Sequence, residues 1–217
     1  MFRRHQLSVT VRNSPTLRFM SVAFVASVIV ASANGCSEDE KAVSRVAFES
    51  KVQPGTHKST ECGQTGTWFT IGSFGNPVLG RVNPDDPESP LKDPVVPIED
   101  GAADQQGTVA VSCSVTPDGD GFRVATNAVL TGATGGSVTI EGRFTKTGEQ
   151  TGVRVALTKR GVTFAENNCV ATFDTSLGHA VAAGRVWAQV KCANAENPGA
   201  QQICASEAQF RFENCAQ

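Results

Sequence analysis

From residue 42 onward the chain alternates. Short segments rich in Val, Thr and Phe put apolar residues at every second position, and Gly-containing turns separate them. Side chains along a strand point to opposite faces in turn, so a half-buried antiparallel strand demands this pattern. It predicts strands at Val43–Lys51, Thr67–Ser73, Thr108–Thr116, Gly121–Leu130, Gly136–Lys146, Gly152–Thr158, Asn168–Asp174, Gly184–Ala193 and Cys204–Asn214. Val109, Val111, Cys113 and Val115 share one face, as do Val138, Ile140 and Phe144, and Val153, Val155 and Leu157. Phe210 and Phe212 share parity with Cys204 and Ala208 and read as core. No segment of the body repeats its apolar residues at the spacing of an amphipathic helix.

The connections support hairpins. Pro117-Asp118-Gly119-Asp120-Gly121, Thr131–Gly136 and Thr147-Gly148-Glu149-Gln150 supply residues that tolerate positive φ. Strands at this spacing predict a single all-β domain over residues 42–217, an antiparallel β-sandwich with a closed β-barrel as the alternative. One stretch breaks the pattern. Residues 83–104 hold five of the ten Pro and seven acids against the single Lys92. Proline removes ladder donors, so this acidic segment is predicted to be a disordered surface loop.

The first 35 residues read differently. Arg3, Arg4, Arg12 and Arg18 precede Met20–Ala33, an uncharged apolar run. A transmembrane helix needs about 20 such residues, so the run is short for a span and fits a signal peptide. Ser32-Ala33-Asn34-Gly35-Cys36 follows, and resembles the lipobox of bacterial lipoproteins. Gly35 matches that pattern, whereas Ala33 stands where the family most often has Leu. Cleavage after Ala31-Ser32-Ala33 is the competing reading, and would leave Cys36 a free thiol. The cysteine count favours lipidation. Of seven Cys, setting Cys36 aside leaves Cys62, Cys113, Cys169, Cys192, Cys204 and Cys215, an even disulfide set.

The resemblance implies a diacylglycerol thioether, usually with an N-acyl chain such as palmitate, on Cys36. Ser37 rather than Asp follows, which in the Gram-negative family implies outer-membrane sorting. Residues 36–41 would then be a short tether, with Ser37–Lys41 reaching at most about 17 Å. The whole chain has formal charge −2; losing four leader Arg and no acid leaves 15 basic against 21 acidic residues, or −6. Neither value gives a basic footprint for nucleic acid, and none is expected as a partner.

The six remaining cysteines lack any C-x₂₋₄-C pair, so neither a zinc site nor a redox motif is predicted. Six cysteines allow 15 pairings. Position in the chain suggests Cys192–Cys204 across a hairpin base, Cys169–Cys215 between strands, and Cys62–Cys113 fastening the N-terminal segment.

Catalytic signatures are sparse. There is no G-x-S-x-G, H-E-x-x-H or P-loop. The only histidines beyond the leader are His57 and His179, the latter in a predicted loop and read as a surface residue. Asp118-Gly119-Asp120 opens like a calcium loop, but Phe122 and Val129 occupy later ligand positions, so an ordinary turn is expected. No metal and no cofactor is predicted. The aromatic residues are the best candidates for ligand contact. Trp187 shares a face with Arg185 and Gln189, and the three form a candidate platform for sugar or peptide. The bland alternative is that Trp187 packs beneath a loop. Of Trp68 and Phe69, one is expected in the core.

Gly184-Arg185-Val186-Trp187-Ala188 with Cys192, Cys204 and Phe210-Arg211-Phe212-Glu213-Asn214-Cys215 resembles uncharacterised cysteine-stapled lipoproteins of myxobacteria-like Gram-negatives. That implies an envelope location and no assigned activity. The expectation is a non-catalytic outer-membrane module that binds an envelope protein or glycan. A lipocalin-like carrier of an apolar ligand, and a hydrolase using His57 or His179, are the alternatives.

Overall fold

The computed structural model describes residues 42–55, 62, 66–75, 95–105 and 107–217. Cys36, the leader and His57 lie outside them, as does most of the acidic loop.

Eight strands form the wall. They are β1 (Arg45–Pro54), β5 (Gly107–Asp118), β6 (Gly121–Leu130), β7 (Gly136–Thr145), β8 (Gln150–Lys159), β9 (Val162–Thr172), β11 (Arg185–Asn197) and β12 (Gln202–Glu213). Four short ones attach to it: β2 (Phe69–Ile71), β3 (Ile98–Glu99), β4 (Ala103–Asp104) and β10 (Ala180–Ala182). Neighbours in the wall are antiparallel, in the order β1-β12-β11-β9-β8-β7-β6-β5. The fold is all-β, and its one continuous sheet curls into a nearly closed, barrel-like form. The all-β, disulfide-stapled antiparallel fold predicted is therefore present, in a form close to the barrel alternative.

Closure depends on segments the alternation could not reveal. Residues 98–104 lie between the two ends of the wall. β3 pairs with β1 and β4 pairs with β5. The Asp100 N–H donates to Ser44 O at 2.8 Å, and its Oδ1 accepts the Val111 N–H at 2.7 Å. This part of the acidic segment is therefore ordered, contrary to the loop expected. Its backbone donors complete an edge that would otherwise be bare. Further along β5 the chain end does the same job. Ala216 donates to Cys113 O and accepts from the Val115 N–H.

The predicted inner faces point inward. Phe48, Phe144, Phe210 and Phe212 are fully buried, with Ile140, Leu157, Val138 and Val153 around them. Phe144 meets Phe210 edge-on at 6.3 Å, and Phe48 lies 5.8 Å from Phe69. Burying one such ring contributes about 1.5–3 kcal/mol relative to exposure. Trp68 and Phe69 are both buried, rather than only one of them. Close packing also explains Gly136: a Cβ there would stand 2.2 Å from the Thr158 carbonyl oxygen on β8 and 3.0 Å from the Phe69 ring.

All six body cysteines are in disulfides, but with other partners than expected: Cys62–Cys204, Cys113–Cys215 and Cys169–Cys192. The reason is register. Cys192 faces Ser206, then β11 bulges, and Cys204 faces Ala195 instead. That offset leaves Cys192 free to join Cys169 on β9, its other neighbour. Closure of the sheet brings β5 against the chain end, which sets Cys113 beside Cys215.

Candidate functional site

One end of the barrel opens into a cavity of about 420 Å³. Three parts of the chain frame it: the β8–β9 turn, the β11–β12 turn, and the end of β1 with Cys62. Cys62 is tied to Cys204, the third residue of β12, so the disulfide holds Cys62 at the rim. Trp68 supplies an aromatic wall. Its backbone N–H donates to Ser50 O at 2.7 Å, and its ring meets Phe164 edge-on at 5.8 Å. Val52 and Val162 extend the apolar lining, and Val162 is 43% exposed.

The polar part of the lining is cationic or neutral. Lys159 Nζ donates to Trp68 O and sits 5.9 Å from the centre of the Trp68 ring. Asn197 is buried and satisfied, its Oδ1 accepting the N–H groups of Gly199 and Ala200. Arg160 and Gln202 complete the rim. Among the described lining residues there is no carboxylate.

The β8–β9 turn is a two-residue hairpin of Arg160 and Gly161, with φ of 50° and 80°. Both central residues in the left-handed region match the twist of the flanking strands. Gly161 adopts it freely, whereas an L-residue with a long side chain such as Arg160 pays about 1–2 kcal/mol. The strand prediction missed this turn, because it ended one strand at Thr158 and began the next at Asn168. The available signal was Arg160-Gly161 between two Thr-rich alternating runs.

Trp187, Arg185 and Gln189 share the outer face of β11, with Trp187 in the middle. Trp187 is half-buried, and its contacts come from this chain. The Arg211 guanidinium sits 4.7 Å from the ring centre. The His179 ring is 5.3 Å away, and a Cβ on Gly178 would lie 3.4 Å from the indole. Thr175–Leu177 form a 3₁₀ turn that carries Gly178 and His179 over the sheet. Arg211 in turn donates to Glu213, which also pairs with Arg45 at 2.7 Å.

His179 is buried, not at the surface. Its Nδ1 accepts the Asp174 N–H at 3.1 Å, which puts the ring proton of the neutral form on Nε2. Neither that Nε2 nor Trp187 Nε1 has a protein partner. Burial lowers the His179 pKa below its ordinary 6.5, with the Asp174 charge opposing. The Asp174 carboxyl is itself held low, chiefly by the Ser176 hydroxyl.

Two other groupings are occupied by their own partners. Asp118 pairs with Arg123 and Asp120 with Arg143, so the turn carboxylates face cations of neighbouring strands. The Arg143 hydrogen bond lowers the Asp120 pKa. Glu166, Cys169 and Cys192 lie within metal-ligating distance of one another. Both sulfurs are consumed in a disulfide, which leaves no thiolate, and Glu166 accepts the Asn194 N–H at 2.7 Å.

No family model matches the chain, and no curated protein or solved structure is significantly similar to it.

Proposed function

We propose that the chain is a cell-envelope lipoprotein, a non-catalytic binding module held at the outer membrane through a lipid on Cys36. Its ligand site is the mouth of the barrel, which receives a small molecule or the end group of a larger envelope molecule. The observation that carries this reading is the cavity of about 420 Å³ walled by Trp68, Phe164 and Val162. That volume lies within the range of about 300–1,000 Å³ usual for small-molecule sites. The interior weighs against a deep lipocalin-like calyx, because four Phe side chains occupy it. The hydrolase reading draws little support from His179, whose Nδ1 is engaged by backbone and whose ring is buried.

Two measurements test the proposal. Labelled palmitate should enter the wild-type chain and not Cys36→Ala, with the wild type in the membrane fraction; unlipidated protein found only in the medium would overturn the location. Small molecules retained through native purification should be lost from Val162→Trp, which fills the mouth. Equal retention by both proteins would overturn the site.

A further inference from the structure

We propose that the ligand of the mouth is an anionic amphiphile: a compact apolar or aromatic body carrying one carboxylate, sulfonate or similar group, which Arg160 receives. This rests on the mouth being the binding site. The body is specified by the wall. Trp68 and Phe164 meet edge to face, and Val162 is left 43% exposed, an open apolar surface beside an open volume. The charge is specified by the rim. Two cations stand side by side in the chain, Lys159 and Arg160, with the carboxamides of Asn197 and Gln202 and no described carboxylate among the lining residues.

The two cations differ. Lys159 is engaged with the Trp68 carbonyl and ring. Arg160 has only its backbone N–H placed, donating to Gly135 O at 3.1 Å. No described acid forms an ion pair with its guanidinium. Among the other described Arg, Arg45, Arg123, Arg143, Arg154 and Arg211 pair with carboxylates, and Arg185, on the outer face of β11, does not. A planar five-donor group at a cavity rim suits a planar or tetrahedral anion.

The backbone adds a second argument. Arg160 occupies a left-handed turn position that Asn or Gly would fill at lower cost. Strained residues cluster at functional sites, where the side chain rather than the backbone justifies them. Arg160→Asn should therefore stabilise the turn and weaken the ligand, a combination that a merely structural residue would not produce.

Two dyes with one skeleton separate body from charge: anilinonaphthalene sulfonate, which is anionic, and phenylnaphthylamine, its neutral counterpart. They are titrated into the disulfide-bonded full chain carrying Cys36→Ala, which removes acyl chains and detergent. Binding is read as energy transfer from tryptophan, with Trp68→Phe as the control that locates it. The expected result is that both dyes quench Trp68 and that the sulfonate binds more tightly. Arg160→Asn should weaken the sulfonate about tenfold, leave the neutral dye unchanged, and raise the melting temperature by about 2 °C. Val162→Glu, a change at an exposed position, should weaken the sulfonate more than the neutral dye. If the neutral dye reaches Trp68 but Arg160→Asn and Val162→Glu leave the sulfonate unaffected, the anion proposal fails and the mouth site stands. If neither dye reaches Trp68, the mouth site itself fails.

Discussion

The protein has two tryptophans, and each has a cation over its ring. Lys159 covers Trp68 at the mouth, and Arg211 covers Trp187 on the outer wall. The surroundings make them different objects. Arg211 is neutralised by Glu213, and the turn carrying Gly178 and His179 closes over the indole. Trp68 stands instead beside an open cavity, with a second cation nearby and no described acid in the lining. An aromatic ring with a basic neighbour is thus a wall of a site or a plug of a seam, depending on what occupies its remaining sides. A cation–π contact alone is worth about 0.5–2 kcal/mol and does not distinguish the two.

This comparison can be broken by substitution. Trp68→Ala should have the largest effect, about 4 kcal/mol in denaturant titration, because the ring is buried against Phe164. Trp187→Ala, at a half-buried ring, should cost clearly less; equal losses would erase the distinction. Next comes removal of Cys62–Cys204 by paired Ala substitution. It should cost about 3 kcal/mol and abolish dye binding at the mouth, while leaving the environment of Trp187 unchanged by fluorescence. Smaller is Glu213→Gln, about 1 kcal/mol, since it leaves Arg45 and Arg211 without their shared carboxylate. Its effect should be confined to the outer wall, with dye affinity unmoved.

The smallest effect concerns pH. His179 has a folded pKa below the unfolded value of about 6.5, so the unfolded chain takes up the proton first. Stability should fall as pH drops from about 6.5 toward the lowered folded value, and flatten below it. His179→Asn keeps an acceptor for the Asp174 N–H and removes that slope. Urea midpoints at pH 7.5 and pH 5 should converge for the variant and differ for the wild type. A slope unchanged in the variant would assign the effect elsewhere.

Much of the wall was legible in the alternation. Val138, Ile140 and Phe144, and Phe210 and Phe212, face inward as period two requires. Trp187 falls on the opposite face from Val186 and Val190, as its parity requires. The mouth was not legible. Its parts are residues 52, 62, 68, 159–164 and 197–202, which no local pattern joins. Strands of two or three residues, such as β3, β4 and β10, are too short to display a period. The acidic segment was misread in part because its prolines mask short pairings, the Val96 bridge to Ser73 between Pro94 and Pro97 and β3 just after Pro97.

Local sequence, by itself, determined that this chain forms strands, which side chains each strand turns inward, and that residues 42–217 carry six cysteines. Side-chain alternation and turn chemistry act over a few residues, so they can be read in one dimension. Tertiary structure decided that the sheet curls nearly shut, which cysteines meet, and that a cavity opens beside Trp68 while a turn covers Trp187. Those outcomes depend on register, on one bulge in β11, and on contacts between segments as far apart as Cys62 and Cys204. Their energies arise only once the wall has brought the segments together.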